Sequence, residues 1–290
     1  MSVLHVHRAG PLTTVQDLGR VGWAHLGVPR AGALDGPAAA LAQRLVGNPP
    51  DAALLEVTWG GLEVTSSHAV WVAVTGAPVP VEVDGRAVGH DRVVRLPAGG
   101  RLRLGTPERG VRSYVAVAGG IDVTPVLGSR STDTLAWLGP PRVADGALLP
   151  VGLPTGPPAP VDVLRPPAPG PLRLHPGPRA DRVEGDVLVR LAATSYVVGE
   201  ASNRVGLRLD GDPLPLSVRD ELPSEGAVLG AVQVPPDGRP VVFLADHPPT
   251  GGYPVVAVVD PGDLWCCAQL RPGEPVRFAL TPGGGGRTPR

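Results

Sequence analysis

The residues best suited to chemistry are polar side chains in loops between apolar, strand-like runs. They form four groups, which are Gln16-Asp17-Arg20 with His25, Arg130-Ser131, Ser202-Asn203-Arg204, and Glu225 with Asp246 and Tyr253. Acids beside arginines and amides suit recognition of a small carboxylate or amide, and loops on a rigid scaffold often carry such sites. The sequence therefore predicts a small-molecule site, although each group can also be a satisfied loop or ion pair.

One long hairpin organises the last of these groups. Two apolar runs, Ala227–Val234 and Pro240–Ala245, are joined by the turn Pro235-Pro236-Asp237-Gly238, and the second run enters a loop rich in proline and glycine. Proline fixes φ and glycine allows unusual φ, so this loop is expected to hold one shape that lets a ligand approach its backbone. Glu225 and Asp246 stand at the two ends of this hairpin. Because the turn brings those ends together, the two carboxylates are predicted to lie on one rim of the fold.

A second candidate is the turn Gly128-Ser129-Arg130-Ser131-Thr132. It gathers backbone N–H groups, two hydroxyls and one guanidinium, which together suit an anion. Turns of this composition are also common as purely structural features. His5 and His7 share one face of a strand, where an exposed edge is favoured over a metal site, so we expect no metal.

Composition restricts the class of protein. The 290 residues include 40 Gly and 37 Pro, but 42% are hydrophobic, which favours a folded, β-rich chain with many turns over disorder. A net charge of −1 gives no electrostatic basis for nucleic-acid binding. No run of about 18 apolar residues predicts a membrane span, and the first residues lack a signal-peptide core. Two adjacent cysteines, Cys266 and Cys267, predict no disulfide framework and fit a cytoplasmic protein.

The chain contains no lysine, since all 26 basic residues are arginine. It therefore has no P-loop lysine, no Schiff-base lysine and no lysine to carry biotin or lipoyl. No cofactor is expected to be covalently attached to this chain.

The order of elements predicts two mainly β halves with a few short helices. The proposed divisions are an N-terminal barrel-like half at 1–150, a stiff Pro-rich linker at 151–171, a C-terminal half at 172–280 and a disordered tail at 281–290. Asp35 is predicted to cap a helix in the first half, and residues 262–270 a helix in the second.

The sequence also predicts three local features. Gly10–Gly27 is interpreted as too polar for the core. Leu55–Thr58 and Leu62–Thr65, separated by Gly60-Gly61, are predicted to form a hairpin, and Asp186–Leu191 is predicted to be a strand.

Seven motifs along nearly the whole chain are distinctive. They are Thr13-Thr14-Val15-Gln16-Asp17-Leu18-Gly19-Arg20, Gly32-Ala33-Leu34-Asp35, Ala116-Val117-Ala118-Gly119-Gly120-Ile121-Asp122, Leu127-Gly128-Ser129-Arg130-Ser131-Thr132, Ser224-Glu225-Gly226, Gln233-Val234-Pro235-Pro236 and Thr250-Gly251-Gly252-Tyr253-Pro254. In these motifs the chain resembles the biotin-dependent carboxyltransferase family, which includes the C subunit of 5-oxoprolinase, the KipA-like proteins and allophanate hydrolase subunit 2.

The resemblance implies two cyclophilin-like β-barrel domains that work beside a KipI-like B subunit. With a third chain, the barrel protein that forms the A subunit, the pair is similar to the ATP-dependent 5-oxoprolinase, which opens 5-oxo-L-proline to L-glutamate. ATP would then act at the level of the complex. Two alternatives remain, namely a urea or amide carboxylase subunit using biotin carried by another chain, and a non-enzymatic KipA-like protein that binds a partner.

The same resemblance suggests a role for each candidate residue. The residues expected to be catalytic are Asp17, Glu225, Asp246 and Tyr253. Those expected to bind substrate are Gln16, Arg20, His25, Arg130, Ser131, Arg204, Gln233, Thr250, Gly251 and Gly252.

The chain also departs from the family pattern. It has Ala31 where serine is usual, Asn203 where an acid is usual, Pro248-Pro249 in place of Gln-Thr, and Val255 in place of lysine. The departures at Pro248-Pro249 and Val255 favour the partner-binding alternative.

Overall fold

The structure is a computed structural model that describes residues 2–158, 170–217 and 222–281. The chain divides into two compact units, Met1–Trp23 with Arg30–Pro166, and Ala24–Pro29 with Pro167–Arg290. Most of the predicted linker and nearly all of the predicted tail lie outside the described residues, so both stay predictions.

Unit 1 is built from eleven strands and one helix in the part of the chain that the structure describes. They are β1 (Ser2–Arg8), β2 (Leu12–Gln16), α1 (Gly36–Leu45), β3 (Leu54–Thr58), β4 (Glu63–Ser66), β5 (Val70–Gly76), β6 (Val81–Val83), β7 (Arg86–Val88), β8 (Val93–Leu96), β9 (Arg101–Leu104), β10 (Arg112–Val117) and β11 (Leu148–Val151). The strands form a six-stranded sheet in the order β11-β1-β4-β9-β6-β7 and a five-stranded sheet in the order β2-β3-β10-β5-β8.

Alternate side chains of both sheets meet in one hydrophobic core. Leu4 and Val6 of β1 contribute from the first sheet, and Leu55, Val57 and Val115 from the second. The opposite face of the five-stranded sheet is covered by α1, which begins as predicted with the Asp35 carboxylate accepting a hydrogen bond from Ala38 N (3.0 Å). Each face of that sheet is therefore packed, and polar groups on its strands are buried.

Two expectations for this unit are wrong. Gly10–Gly27 does contain a core strand, β2, whose Thr13, Thr14 and Gln16 are buried. Burial is possible because other segments of the same protein accept their hydrogen bonds, as Ala9 O does for Thr13 and Thr132 O for Gln16. The predicted hairpin does not form, since β3 pairs with β2 and β10 whereas β4 pairs with β1 and β9. Gly60 and Gly61 instead carry the chain from one sheet to the other, and a Cβ on Gly60 would lie 1.9 Å from Gly105 O.

The edge position expected for the two histidines is also wrong. Strand β1 pairs with β11 on one side and β4 on the other, so His5 and His7 lie on an interior strand with their side chains exposed.

Unit 2 contains one large sheet, a two-stranded ribbon and two short helices within the described ranges. They are β12 (Leu172–Pro176), α2 (Val187–Ala193), β13 (Tyr196–Val198), β14 (Gly206–Asp210), β15 (Glu225–Gly226), β16 (Ala231–Gln233), β17 (Val241–Phe243), β18 (Thr250–Gly251), β19 (Val255–Val259), α3 (Leu264–Cys267), β20 (Pro275–Val276) and β21 (Phe278–Leu280). The large sheet has the order β20-β13-β14-β17-β16-β19-β12-β21, and β15 pairs with β18.

The large sheet curves into a nearly closed barrel. Its two edge strands, β20 and β21, are separated in sequence by Arg277 alone, so the chain itself joins the two edges. The predicted mainly β fold with barrel domains and few short helices is confirmed.

The local predictions for unit 2 had mixed outcomes. The hairpin predicted from Ala227–Val234 and Pro240–Ala245 is confirmed, since β16 and β17 pair antiparallel with Val232 opposite Val242. The strand predicted at Asp186–Leu191 is wrong: Asp186 caps helix α2 by accepting from Leu188 N and Val189 N. Helix α3 is shorter than predicted and follows a 3-10 turn at Pro261–Asp263.

No helix in the described residues is both long and apolar enough to cross a membrane.

Candidate functional site

In unit 1, the predicted anion-binding turn surrounds the carboxylate of Asp17. Ser129 Oγ and Ser131 Oγ each donate to Asp17 Oδ1 at 2.6 Å, Gly19 N donates to the same oxygen at 2.8 Å, and Arg130 N donates to Oδ2 at 2.6 Å. Charged acceptors make the stronger protein hydrogen bonds, so this arrangement fixes two loops against each other. The turn thus binds an anion that belongs to the protein itself, and a catalytic role for Asp17 stays a prediction.

Gln16 and the two arginines of this group also bind acceptors or donors of the protein. Buried Gln16 donates from Nε2 to Thr132 O (2.9 Å) and accepts from Gly32 N at Oε1 (3.2 Å). Arg20, 3% exposed, donates to Ser131 O. Arg130 donates to Val123 O at 2.8 Å and forms an ion pair with Asp122 at 3.1 Å.

The structure thus brings Gln16, Asp17, Arg20, Arg130 and Ser131 together in one hydrogen-bonded cluster. His25 lies on an exposed 3-10 turn, Ala24–Leu26, in the segment that belongs to unit 2.

Sequence reasoning missed a buried polar network beneath the loop that precedes α1. Tyr114 donates to Glu56 Oε2 at 2.9 Å, the same oxygen accepts from Leu34 N at 3.0 Å, and Asp35 N donates to Tyr114 Oη at 2.7 Å. Burial is the largest cause that raises the pKa of Tyr114 well above its usual value, so the phenol remains a donor. The sequence signal that could have predicted this network is Glu56, a glutamate within the apolar run of β3.

In unit 2, Arg204 and Asp246 form a buried, two-pronged ion pair. Arg204 Nε lies 2.9 Å from Asp246 Oδ2 and Nη2 lies 3.0 Å from Oδ1, with 1% and 0% of the two side chains exposed. Asp246 N also donates to Arg204 O at 3.1 Å. Next to this pair, the His247 ring stacks on Phe243 at 5.4 Å, and burial lowers the pKa of His247. The structure therefore places Asp246 within the interior, whereas Glu225 is partly exposed.

A second group in unit 2 surrounds the β15–β18 ribbon. Glu225 lies opposite Gly251 in the ribbon, and a Cβ at Gly251 would lie 2.8 Å from Gln233 Nε2. Gln233 is only 6% exposed and donates to Tyr253 O at 3.1 Å, while the Tyr253 side chain is 49% exposed. The absence of a side chain at Gly251 therefore makes room for the Gln233 amide.

The neighbours of this group complete the ribbon. Thr250 pairs with Gly226, and Gly252 connects the ribbon to Tyr253. Val255, where the resemblance implies a lysine, packs with Ala231 and Phe243 in a hydrophobic cluster. Six of the predicted residues therefore lie together at the β15–β18 ribbon, where exposed or partly exposed residues surround the buried amide of Gln233. The six are Glu225, Gln233, Thr250, Gly251, Gly252 and Tyr253.

The described ranges contain no group of three or more His, Cys, Asp or Glu placed to hold a metal ion. The adjacent cysteines are both buried, and desolvation raises the pKa of Cys267 to about 12. Neither thiol is therefore placed for nucleophilic chemistry.

Comparisons with known proteins agree with this architecture. The family model described as "Carboxyltransferase domain, subdomain A and B" matches residues 26–280. The chain is 40% identical to the 5-oxoprolinase C subunit of Escherichia coli (strain K12) over 283 residues, covering 95% of this chain and 90% of that protein.

Two solved structures are also similar. The crystal structure of TTHA0988 is 38% identical with a TM-score of 0.86, and the match covers 96% of this chain and 56% of that one. The Kluyveromyces lactis urea carboxylase is 28% identical with a TM-score of 0.88, and the match covers 96% of this chain and 27% of that one. The chain thus spans little more than half of one structure and about a quarter of the other. From its sequence and its fold, the chain belongs to the carboxyltransferase domain family, subdomain A and B.

Proposed function

We propose that this chain is a subunit of an ATP-dependent 5-oxoprolinase-type complex that opens 5-oxo-L-proline to L-glutamate. The observation that carries the proposal is the 40% identity to a 5-oxoprolinase C subunit, which extends over nearly the full length of both chains. The relative is itself named as a subunit, which supports the need for partner subunits. A KipI-like B subunit and the barrel protein that forms the A subunit are the partners proposed here.

Ring opening adds water to the lactam carbonyl, breaks the C–N bond and delivers a proton to the ring nitrogen. The residues gathered at the β15–β18 ribbon of unit 2, here called the ribbon group, have side chains suited to two of these tasks. The members of the group are Glu225, Gln233, Thr250, Gly251, Gly252 and Tyr253. The Gln233 amide orients the lactam amide, and the partly exposed Glu225 carboxylate moves the proton. Tyr253, half exposed beside them, lines the same place.

The turn at 128–132 does not fit a phosphate of ATP. Its serine hydroxyls and the Arg130 N–H already bind the Asp17 carboxylate, and a phosphate would have to displace a fixed internal charge. The complex therefore uses ATP on another chain in this proposal, and biotin, if used, is also carried elsewhere because this chain has no lysine.

The test is reconstitution. The chain is co-expressed with both partner subunits, and glutamate released from 5-oxo-L-proline is measured with and without ATP, with each subunit omitted in turn. The proposal predicts release that requires ATP and all three chains. An assembled, folded complex that yields no glutamate overturns it.

The second candidate is the carboxyltransferase of a biotin-dependent urea or amide carboxylase. The TM-score of 0.88 to the K. lactis urea carboxylase favours it, although this chain matches only 27% of that protein. Its test is carboxyl transfer from a carboxylated biotin carrier to urea. Transfer by the complex without any glutamate release would replace the first candidate with this one.

The third candidate is a partner-binding protein without catalysis. Its support is that the carboxylates of Asp17 and Asp246 are both occupied by donors of the protein. It predicts that substitutions in the ribbon group change no reaction of the assembled complex, while the complex still forms.

A further inference from the structure

Arg179 is a residue that neither the motifs nor the predicted site includes, and it binds Glu225. Its Nε donates to Glu225 Oε2 at 3.1 Å, and its Nη2 donates to the other carboxylate oxygen. About a third of each side chain is exposed, 35% for Arg179 and 32% for Glu225. Exposed ion pairs add little to stability, so this two-pronged pair has more capacity for recognition than for folding.

The backbone holds Arg179 in a fixed position beside β19. Arg179 N donates to Val255 O at 3.0 Å. Two residues earlier, Gly177 crosses the same strand so closely that a Cβ there would lie 2.5 Å from Val255 O. The guanidinium therefore extends from a rigid base toward the ribbon that carries Glu225.

Gln233 supplies a second recognition group next to Glu225. The two are linked through Gly251, which pairs with Glu225 in the ribbon and contacts the Gln233 amide. Nε2 of Gln233 is engaged by Tyr253 O at 3.1 Å, whereas Oε1 has no hydrogen-bonding partner among residues 170–217 and 222–281 of this unit. An amide oxygen on a side chain that is only 6% exposed is thus available to accept an N–H.

We propose that Arg179 and Gln233 form a binding site for a small lactam carboxylate, in which Glu225 occupies the carboxylate position when no ligand is bound. The ligand carboxylate displaces Glu225 and accepts the two hydrogen bonds of the Arg179 guanidinium. The ring N–H of the ligand donates to Gln233 Oε1. The choice of a lactam acid rests on the proposed function, whereas binding of a carboxylate at Arg179 does not.

Displacement has a consequence for proton transfer. Arg179 is the largest cause that lowers the pKa of Glu225 in the unliganded chain. Once the ligand carboxylate pairs with Arg179, Glu225 loses that partner and the pKa of its carboxyl rises toward its ordinary value. The Glu225 carboxylate, no longer paired with Arg179 and lying beside the lactam ring, is then a better proton acceptor than it is in the ion pair.

The experiment measures binding to the full chain by calorimetry. The probes are 5-oxo-L-proline, acetate, and 2-pyrrolidinone, which has the lactam ring without the carboxylate. Glu225→Gln removes the competing charge and is expected to tighten 5-oxo-L-proline and acetate by about fivefold or more. Arg179→Gln is expected to weaken both by at least about tenfold, since charge-assisted hydrogen bonds are lost, with 2-pyrrolidinone unchanged.

Two further variants keep the result interpretable. Arg179→Lys retains the charge without the fork and is expected to bind carboxylates between wild type and Arg179→Gln. Asp210→Asn disrupts another exposed ion pair of unit 2, that of Asp210 with Arg239, and is expected to change no affinity. Thermal unfolding confirms that each variant is folded.

The proposal is overturned if Glu225→Gln binds carboxylates no more tightly than wild type, if Arg179→Gln binds them equally well, or if no form binds any carboxylate. The binding-site proposal and the proposed function can be rejected separately. Carboxylate binding that follows Arg179 and Glu225, in a chain whose reconstituted complex releases no glutamate, retains this site and rejects the 5-oxoprolinase role.

Discussion

Replacing Asp246 with alanine tests whether the Arg204–Asp246 pair is a structural element of unit 2. The substitution leaves the Arg204 guanidinium, 1% exposed, without the carboxylate that lies 2.9 Å and 3.0 Å from its nitrogens. Because both side chains are buried, water does not readily replace the lost carboxylate.

The expected cost is large. Removing one partner of a buried pair destabilises a protein by about 3–5 kcal/mol, because the remaining charge is uncompensated. Asp210→Ala is the matched control: its partner Arg239 lies at 3.4 Å, and the two side chains are 54% and 57% exposed. Loss of such an exposed pair costs about 0–1 kcal/mol.

Urea denaturation followed by far-UV circular dichroism measures both variants. With an m-value of roughly 2 kcal/mol per molar urea, Asp246→Ala is expected to lower the midpoint for unit 2 by about 1.5–2.5 M, and Asp210→Ala by less than about 0.5 M. Asp246→Asn, which retains the shape and one acceptor, is expected between them. Equal midpoints for Asp246→Ala and Asp210→Ala would refute the structural role of the pair.

Three further predictions concern other buried or partly buried groups. Asp17→Ala removes an acceptor shared by four donors and is expected to lower the free energy of unfolding in urea by about 2–4 kcal/mol. The partly exposed control Asp122→Ala is expected to lower it by less than about 1 kcal/mol. Equal losses in the two variants would contradict the structural role of Asp17. Burial lowers the pKa of His247 below 6.5, so the unfolded chain takes up the proton first and stability is expected to fall as pH decreases below about 6.5; a His247→Gln chain with the same fall would assign it to other groups. Burial raises the pKa of Cys267 to about 12, so a disulfide reagent at pH 8 is expected to label it slowly in the native chain and rapidly in urea, and fast native labelling would contradict its burial.

Local signals predicted the elements that depend on neighbouring residues. The cap at Asp35 and the turn Pro235–Gly238 are encoded within a few positions, and α1 and the β16–β17 hairpin form as expected. The strand pattern and the glycine-rich turns were enough to predict a mainly β fold.

What the sequence did not reveal depends on distant partners. Gln16 of β2 is buried because a residue more than a hundred positions away, Thr132, accepts from its Nε2 through the backbone carbonyl. The run Asp186–Leu191 is apolar enough for either a strand or a helix, and the cap at Asp186 together with packing decides for a helix.

The candidate site shows the same limit. The motifs predicted Glu225, Gln233 and Gly251, but not that Arg179, 46 positions from Glu225, completes the group. They also predicted Asp17 and Asp246 as catalytic residues, whereas in the structure each carboxylate accepts hydrogen bonds from the protein itself.

The most direct test of the central claim is ATP-dependent glutamate release by the three-subunit complex containing Gln233→Leu, compared with wild type and Asp210→Asn. Leucine has a similar size and no amide, so assembly is expected to persist while release falls by at least about tenfold. Asp210→Asn is expected to match wild type. Undiminished release with Gln233→Leu, or no release by the wild-type complex, would contradict a 5-oxoprolinase site at the β15–β18 ribbon.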